Sequence, residues 1–283
     1  VELAQALRRL ELDVSAFGDK EIIAGLTDPE VSAAAVELLR RELPLHLGEK
    51  PELSAEGRGV RVRTKSVDIV VDRVLVALGR RPNVEELGLE SLGVPLDESG
   101  VPKIDPRTMQ IGDLPVFLVG DTTGHDAILH EAADDGHIAG LNATAKNIAV
   151  FQRRAPLAIV FSDPNIARIG KRFNELDSSR IAVGEARFEQ QGRARIALRN
   201  SGIVRIYADR QSGRVLGAEL CAPAGEHLAH LLALAVERAL SVSDLLRMPF
   251  YHPVFEEGVR TALRRLAEQL PGSNDSDLAR CTT

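Results

Sequence analysis

Two places in the sequence bring together side chains that could do chemistry. The first is His252-Pro253-Val254-Phe255-Glu256-Glu257, which pairs an imidazole with a carboxylate five residues on. Proline suits the first position of a helix, so the spacing predicts a helix over about 253–270 with His252 at its cap. Glu256 and Glu257 then fall in the first turn, where negative charge favours the helix dipole. A carboxylate folded back onto the imidazole would fix its tautomer, the arrangement a general base requires. The plain structural alternative is a His-Pro helix start whose glutamates only stabilise the first turn.

The second place is the apolar run 116–119 followed by Gly120-Asp121. A buried strand ending in Gly and then an acid presents a carboxylate at the carboxyl edge of a sheet, where α/β folds bind ligand hydroxyls. An ordinary Gly-Asp turn has the same sequence. Just beyond, His130-Glu131 opens like a zinc-protease helix, but that motif needs a second His where Asp134 stands. His125, His130 and His137 lack a supporting cysteine or carboxylate pattern, so no metal is expected.

Elements must position these groups. The N-terminal stretch 1–10 reads as an amphipathic helix with Leu3, Ala6, Leu7 and Leu10 on one stripe. It has no capping residue and no initiator Met, which suggests a missing upstream segment. A strand over 12–17 precedes a helix opened by Asp28 as cap and Pro29 at its first position. Residues 57–78 read as hairpin strands followed by a buried strand at 74–78. Helices alternating with strands predict an α/β region with a parallel sheet. The turn at 79–83 breaks this pattern, and a helix over about 127–150 leads to a boundary at 153–156. Strands at 157–161, 195–198, 204–207 and 215–220 then precede helices at 225–239 and 253–270, the order of an α+β domain.

Composition narrows the classes. Of the 283 residues, 44% are hydrophobic and 27% charged, as in ordinary globular proteins. A net charge of -6 argues against a nucleic-acid partner. No apolar stretch reaches the length of a membrane span. Cys221 and Cys281 lie too far apart for a C-x-x-C pair or a metal knuckle, which predicts a reduced, cytoplasmic setting.

Taken together, the motifs resemble the class I pyridine nucleotide–disulfide oxidoreductases, most like the dihydrolipoamide dehydrogenases, from Val1 to about Leu270. His252-Pro253 with Glu257 is similar to their C-terminal His-Pro-x-x-x-Glu signature. The resemblance implies that His252 is the acid/base for a dithiol and that Glu257 hydrogen-bonds it. It also implies that the pair reaches across a dimer interface. The match departs at Phe250-Tyr251, where many members have His-Ala, and at Val254, where they have Thr. Gly120 and Asp121 resemble the second flavin motif, with Asp121 on the ribityl chain of FAD; Thr108 stands near the start of that motif. Leu129, His130, Glu131 and Ala132 resemble the helix beneath the flavin ring. Residues 72–83, with Gly79, resemble the junction between the nicotinamide and flavin domains. Glu2 matches the glutamate near the nicotinamide ring. Gly18 replaces the acid that selects NAD, with Asp19 one place later; NAD is expected, with NADP as the alternative.

The implied fold is α/β, a partial Rossmann-like nicotinamide domain (1–82) and a returning flavin-domain segment (83–154), followed by an α+β dimerisation domain (155–270). A polar tail (271–283) is expected to be disordered. The implied function is part of an FAD-dependent dihydrolipoamide dehydrogenase-type enzyme passing electrons between a dithiol/disulfide and NAD(H). The implied partners are a second copy and a lipoyl domain of a 2-oxo acid dehydrogenase complex. Neither the flavin domain's Gly-x-Gly-x-x-Gly nor the Cys-x-x-x-x-Cys redox pair occurs in the chain, so these residues alone are expected to be inactive. The alternatives are a related flavoprotein such as a soluble transhydrogenase, and a non-catalytic homodimerisation module.

Overall fold

The computed structural model describes residues 1–124, 127–271 and 277–278. They divide into two units, one formed by 1–74 with the residues from 155 onward and the other by 75–154. The expected tail lies outside the described residues except for Pro271, Asp277 and Leu278, and His125 lies outside them too.

In the first unit the opening helix, α1 (Glu2–Arg9), is followed by β1 (Ala16–Gly18), α2 (Pro29–Arg40) and β2 (Leu45–Leu47). Strands β1 and β2 pair in parallel, the small remnant of the expected parallel sheet. An antiparallel ribbon follows, β3 (Glu52–Glu56), β4 (Gly59–Arg63) and β5 (Asp68–Val71). From residue 155 the unit continues as β6 (Leu157–Val160), β7 (Asn165–Gly170) and β8 (Ile181–Arg187), none of the last two foreseen beyond residue 161. A short helix α4 (Gly192–Ile196) comes before β9 (Ile203–Asp209), β10 (Val215–Ala222), α5 (Gly225–Glu237) and α6 (Val242–Leu246). The last element is α7 (Glu257–Ala267), preceded by a cis His252–Pro253 bond.

Strands β6 to β10 form one antiparallel sheet in the order β6-β7-β10-β9-β8. Helix α5 buries Leu228, Leu232 and Ala235, spaced to share one stripe, against the same core as Val204, Ile206 and Leu220. Helix α7 adds Val259, Ala262, Leu263 and Leu266. It lies so close to β8 that a Cβ on Gly184 would stand 2.1 Å from the carbonyl oxygen of Ala262. Backbone cannot yield cheaply there, so Gly184→Ala is expected to cost about 3 kcal/mol, the upper part of the range for overpacking. Chemical denaturation measures it.

Helix α2 packs its Val31, Ala35 and Leu39 with Ile166, Ile203 and Cys221 of the sheet. At its start lies a buried polar network. Asp28 caps the helix by accepting from the Glu30 N–H at 3.0 Å, as expected. It also accepts from Arg205 at 2.5 Å and from the Tyr207 hydroxyl at 2.9 Å. Glu219, fully buried, accepts from the Thr27 N–H at 2.8 Å, the Thr27 hydroxyl at 2.5 Å and the Asp28 N–H at 2.9 Å. Burial, then the charges of Glu219 and Asp28, push the Tyr207 phenol up, so it stays a donor.

The second unit, 75–154, contains α3 (Leu129–Thr144) and loops joined by isolated bridges such as Gln110 to Phe117. Its core gathers Val84, Leu89, Val101, Ile104, Met109, Ile111, Leu118 and Ile138. The side chain of Asn142 on α3 holds the Thr108 carbonyl at 3.1 Å and the Ala149 N–H at 2.8 Å.

Several expectations fail for identifiable reasons. The stripe of α1 is not its anchoring face: Leu10 is 72% exposed, whereas Gln5 is only 4% exposed. Gln5 bonds the Asp163 backbone through both ends of its amide, and Arg9 pairs with Glu42 and Asp163. The expected buried strand at 74–78 has no ladder partner among the described residues, and Leu78 is 92% exposed. High β-propensity without a neighbouring edge leaves the run unpaired. Residues 116–119 form no strand; Phe117 makes an isolated bridge to Gln110. The strand expected at 195–198 is instead the end of α4 and a turn, because the Gln191 side chain caps that helix by accepting from the Ala194 N–H.

Candidate functional site

The helix that carries the acid/base candidates begins at Glu257 and not at Pro253. Glu257 therefore stands inside the first turn, and the loop His252–Glu256 folds back over it. Its Oε1 lies 2.9 Å from His252 Nδ1, and its Oε2 accepts the Val254 N–H at 3.1 Å. The two predicted residues are thus brought together, although by a loop and not by a cap.

The electrostatics fix the proton. Burial disfavours the charged carboxyl of Glu257, but the hydrogen bonds from His252 and Val254 and the charge of Arg260 outweigh it and hold the group below its ordinary range. An ionised carboxylate can only accept, so Nδ1 is the nitrogen that donates to Glu257, and Nε2 is the nitrogen left for another partner. His252 is 79% exposed, which leaves Nε2 open to an incoming group. Because the folded value of Glu257 is depressed, the stabilisation is fully present above the ordinary glutamate value of about 4.3. It is lost as pH falls through the lowered value. Glu257→Gln is accordingly expected to be less stable than wild type at neutral pH, with the difference closing below about pH 4. Thermal melts across that window check it.

In the second unit Gly120 begins a 3-10 turn that ends at Thr123. Its φ of +65° is one glycine adopts readily, and its N–H donates to Asp135 Oδ2 at 3.1 Å. Asp121 is exposed and accepts from Arg80 at 3.0 Å. Helix α3 starts at Leu129, which is exposed, and no side chain among the described residues caps its first turn. His130 stands 3.7 Å from Glu131. Glu131 itself is tied to Arg153 at 2.5 Å, as is Asp135 at 2.6 Å. Burial opposes charge on Arg153, yet these two carboxylates hold its pKa up. Ala132 faces Gly120, where an added Cβ would meet its Cβ at 3.3 Å. Gly120, Asp121, Leu129, His130, Glu131 and Ala132 thus share one neighbourhood built on the start of α3. Gly79 has a φ of +92° and open space around it.

Glu2 belongs to the first unit, where it accepts the Phe161 N–H at 2.6 Å. Sequence reasoning missed Arg80, Arg153 and Asp135, whose partners lie too far along the chain for a local pattern to reveal. Among the described residues there is no group of three or more His, Cys, Asp or Glu placed to hold a metal. None of their helices is long and apolar enough to cross a membrane.

With this geometry in place, comparison with known proteins gives a class. Residues 1–137 match the family model of pyridine nucleotide-disulphide oxidoreductases, and residues 157–263 match that of their dimerisation domain. The chain belongs to this family. A dihydrolipoyl dehydrogenase of Thermus scotoductus is 31% identical over 95% of this chain and 60% of its own length. The mitochondrial dihydrolipoyl dehydrogenase of Mus musculus is 28% identical over 93% of this chain and 53% of its own length. Among solved structures, LpdA of Mycobacterium tuberculosis matches with a TM-score of 0.80 at 24% identity, covering 94% of this chain and 59% of that one. The HOCl-induced flavoprotein disulfide reductase RclA of Escherichia coli matches with a TM-score of 0.80 at 21% identity, covering 93% and 61%. The chain therefore spans little more than half the length of these relatives.

Proposed function

We propose that the chain supplies the acid/base pair, parts of the flavin and nicotinamide sites, and the dimer contact of an FAD-dependent, dihydrolipoamide dehydrogenase-type oxidoreductase. In this reading residues 1–82 belong to the nicotinamide domain, 83–154 to the flavin domain and 155–270 to the interface domain. The observation that carries it is the contact between His252 Nδ1 and Glu257 at 2.9 Å, with Nε2 facing outward. Nε2 would take a thiol proton from the dithiol, and Glu257 would stabilise the resulting imidazolium.

The second unit fits FAD in two respects. Asp121 offers an exposed acceptor for sugar-alcohol hydroxyls, and the start of α3, which no side chain among the described residues caps, offers N–H groups to a carbonyl or anion. When bound, FAD supplies the two-electron centre between the dithiol and NAD(H). Gly120 allows the tight backbone turn that presents Asp121, while Arg153 keeps Glu131 and Asp135 in place. Glu2 would border the nicotinamide, using the face of its carboxylate not turned to Phe161; NAD(H) is proposed over NADP(H). The partners proposed are a second copy, through 155–270, and a lipoyl domain.

The test is a visible spectrum and intact mass of the purified full-length polypeptide, followed by NAD-dependent dihydrolipoamide oxidation. A flavin band with turnover supports the reading. Flavin with hydride exchange between NADPH and NAD but no dithiol turnover would replace it with transhydrogenation.

A further inference from the structure

The His252–Glu257 pair is seated by a turn from a distant part of the chain, 188–191. Phe188 is fully buried, and its ring lies under the first turn of α7, where a Cβ on Gly258 would meet Phe188 Cζ at 2.7 Å. Three residues on, Gln191 donates from Nε2 to the Val254 carbonyl at 2.6 Å and accepts the Ala194 N–H through Oε1 at 2.6 Å. Both ends of its amide are therefore engaged. The opposite flip would set oxygen against the Val254 carbonyl and NH2 against the Ala194 N–H, so these partners determine the orientation.

The backbone of Val254 is consequently gripped on both sides. Its own carbonyl is held by Gln191, and its N–H donates to Glu257 Oε2, whose other oxygen contacts His252. We propose that Gln191 is a positioning residue for His252, acting through the Val254 backbone and Glu257. This inference rests on the reading of His252 and Glu257 as the acid/base pair. Gln191 touches no reacting atom; it sets where the imidazole stands, and misplacement by about 1 Å can cost a hundredfold in rate.

Glutamate at this position separates the two jobs of the side chain. In Gln191→Glu a carboxylate still accepts the Ala194 N–H and caps α4, but it meets the Val254 carbonyl with an acceptor where a donor is needed. In the full-length polypeptide Q191E is expected to lower kcat for dihydrolipoamide oxidation by about tenfold with KM little changed. Oxidation of the reduced nicotinamide by ferricyanide, which needs no dithiol, should be unaffected. The acid limb of the pH profile should shift as well, because the Val254 N–H then seats the Glu257 carboxylate less firmly beside the imidazole.

His252→Gln is measured beside it. If H252Q leaves dithiol oxidation intact, the acid/base reading has failed and this inference falls with it. If H252Q abolishes turnover while Q191E leaves kcat and the pH profile unchanged, the positioning role alone is refuted. Equal loss of dithiol and ferricyanide activity in Q191E also refutes it, since that pattern marks general destabilisation.

Discussion

Replacing His252 with glutamine is expected to lower the rate of dihydrolipoamide oxidation by roughly 10²- to 10⁴-fold, the span that general acid–base catalysis contributes. The ferricyanide reaction of the same protein should keep its rate. His252 is exposed and supports no core residue, so its loss does not unfold the domain. Glutamine keeps a polar side chain beside Glu257 but has no group that titrates. Glu257 retains the Val254 N–H, so the carboxylate is not left unpaired. Glu257→Gln should cost less, about ten- to a hundredfold, because the base survives and only its orientation and the stabilisation of its cation are lost. Parallel steady-state assays with dithiol and with ferricyanide check both values.

Removing the carboxylate of Glu219 should have the largest effect on stability. Glu219→Ala is expected to destabilise the first unit by about 3–5 kcal/mol, as when one member of a buried charged network is deleted. Glu219 is fully buried and accepts from Thr27, Asp28 and the Phe173 N–H. Each donor left unpaired costs about 1–3 kcal/mol, though the terms do not add. Glu219→Gln keeps one acceptor oxygen and should lose less. Urea denaturation gives the magnitude, and hydrogen exchange at the start of α2 gives the place. A loss below about 1 kcal/mol, the worth of one ordinary hydrogen bond, would mean that the network does not hold α2 to the sheet.

The two predictions also show what the sequence could and could not reveal. Asp28 before Pro29 is a local signal, and its capping bond forms as read. Its other partners, Arg205 and Tyr207, come from strands far along the chain, and no window of residues contains them. The contact of His252 with Glu257 was legible from the spacing of five, but the helix start was misplaced. Proline at a first helical position is only one of its uses, and here it sits in the loop before α7. Apolar patterning misled at both ends of the segment 1–82. Leu3 on α1, Leu10 just past its end, and Leu75 to Leu78 have the character of buried surface yet stand exposed, because burial depends on a neighbouring element as well as on periodicity. Conversely, Gln5 reads as a surface residue but is drawn inward by the backbone of Asp163.

The most direct test of the central claim is the anaerobic half-reaction, dihydrolipoamide mixed rapidly with the purified full-length polypeptide while flavin absorbance is followed. The account predicts that the wild-type flavin bleaches and that added NAD restores it, with bleaching at least a hundredfold slower in H252Q. Equal bleaching rates in wild type and H252Q, or a wild-type flavin that dihydrolipoamide does not reduce, would contradict it.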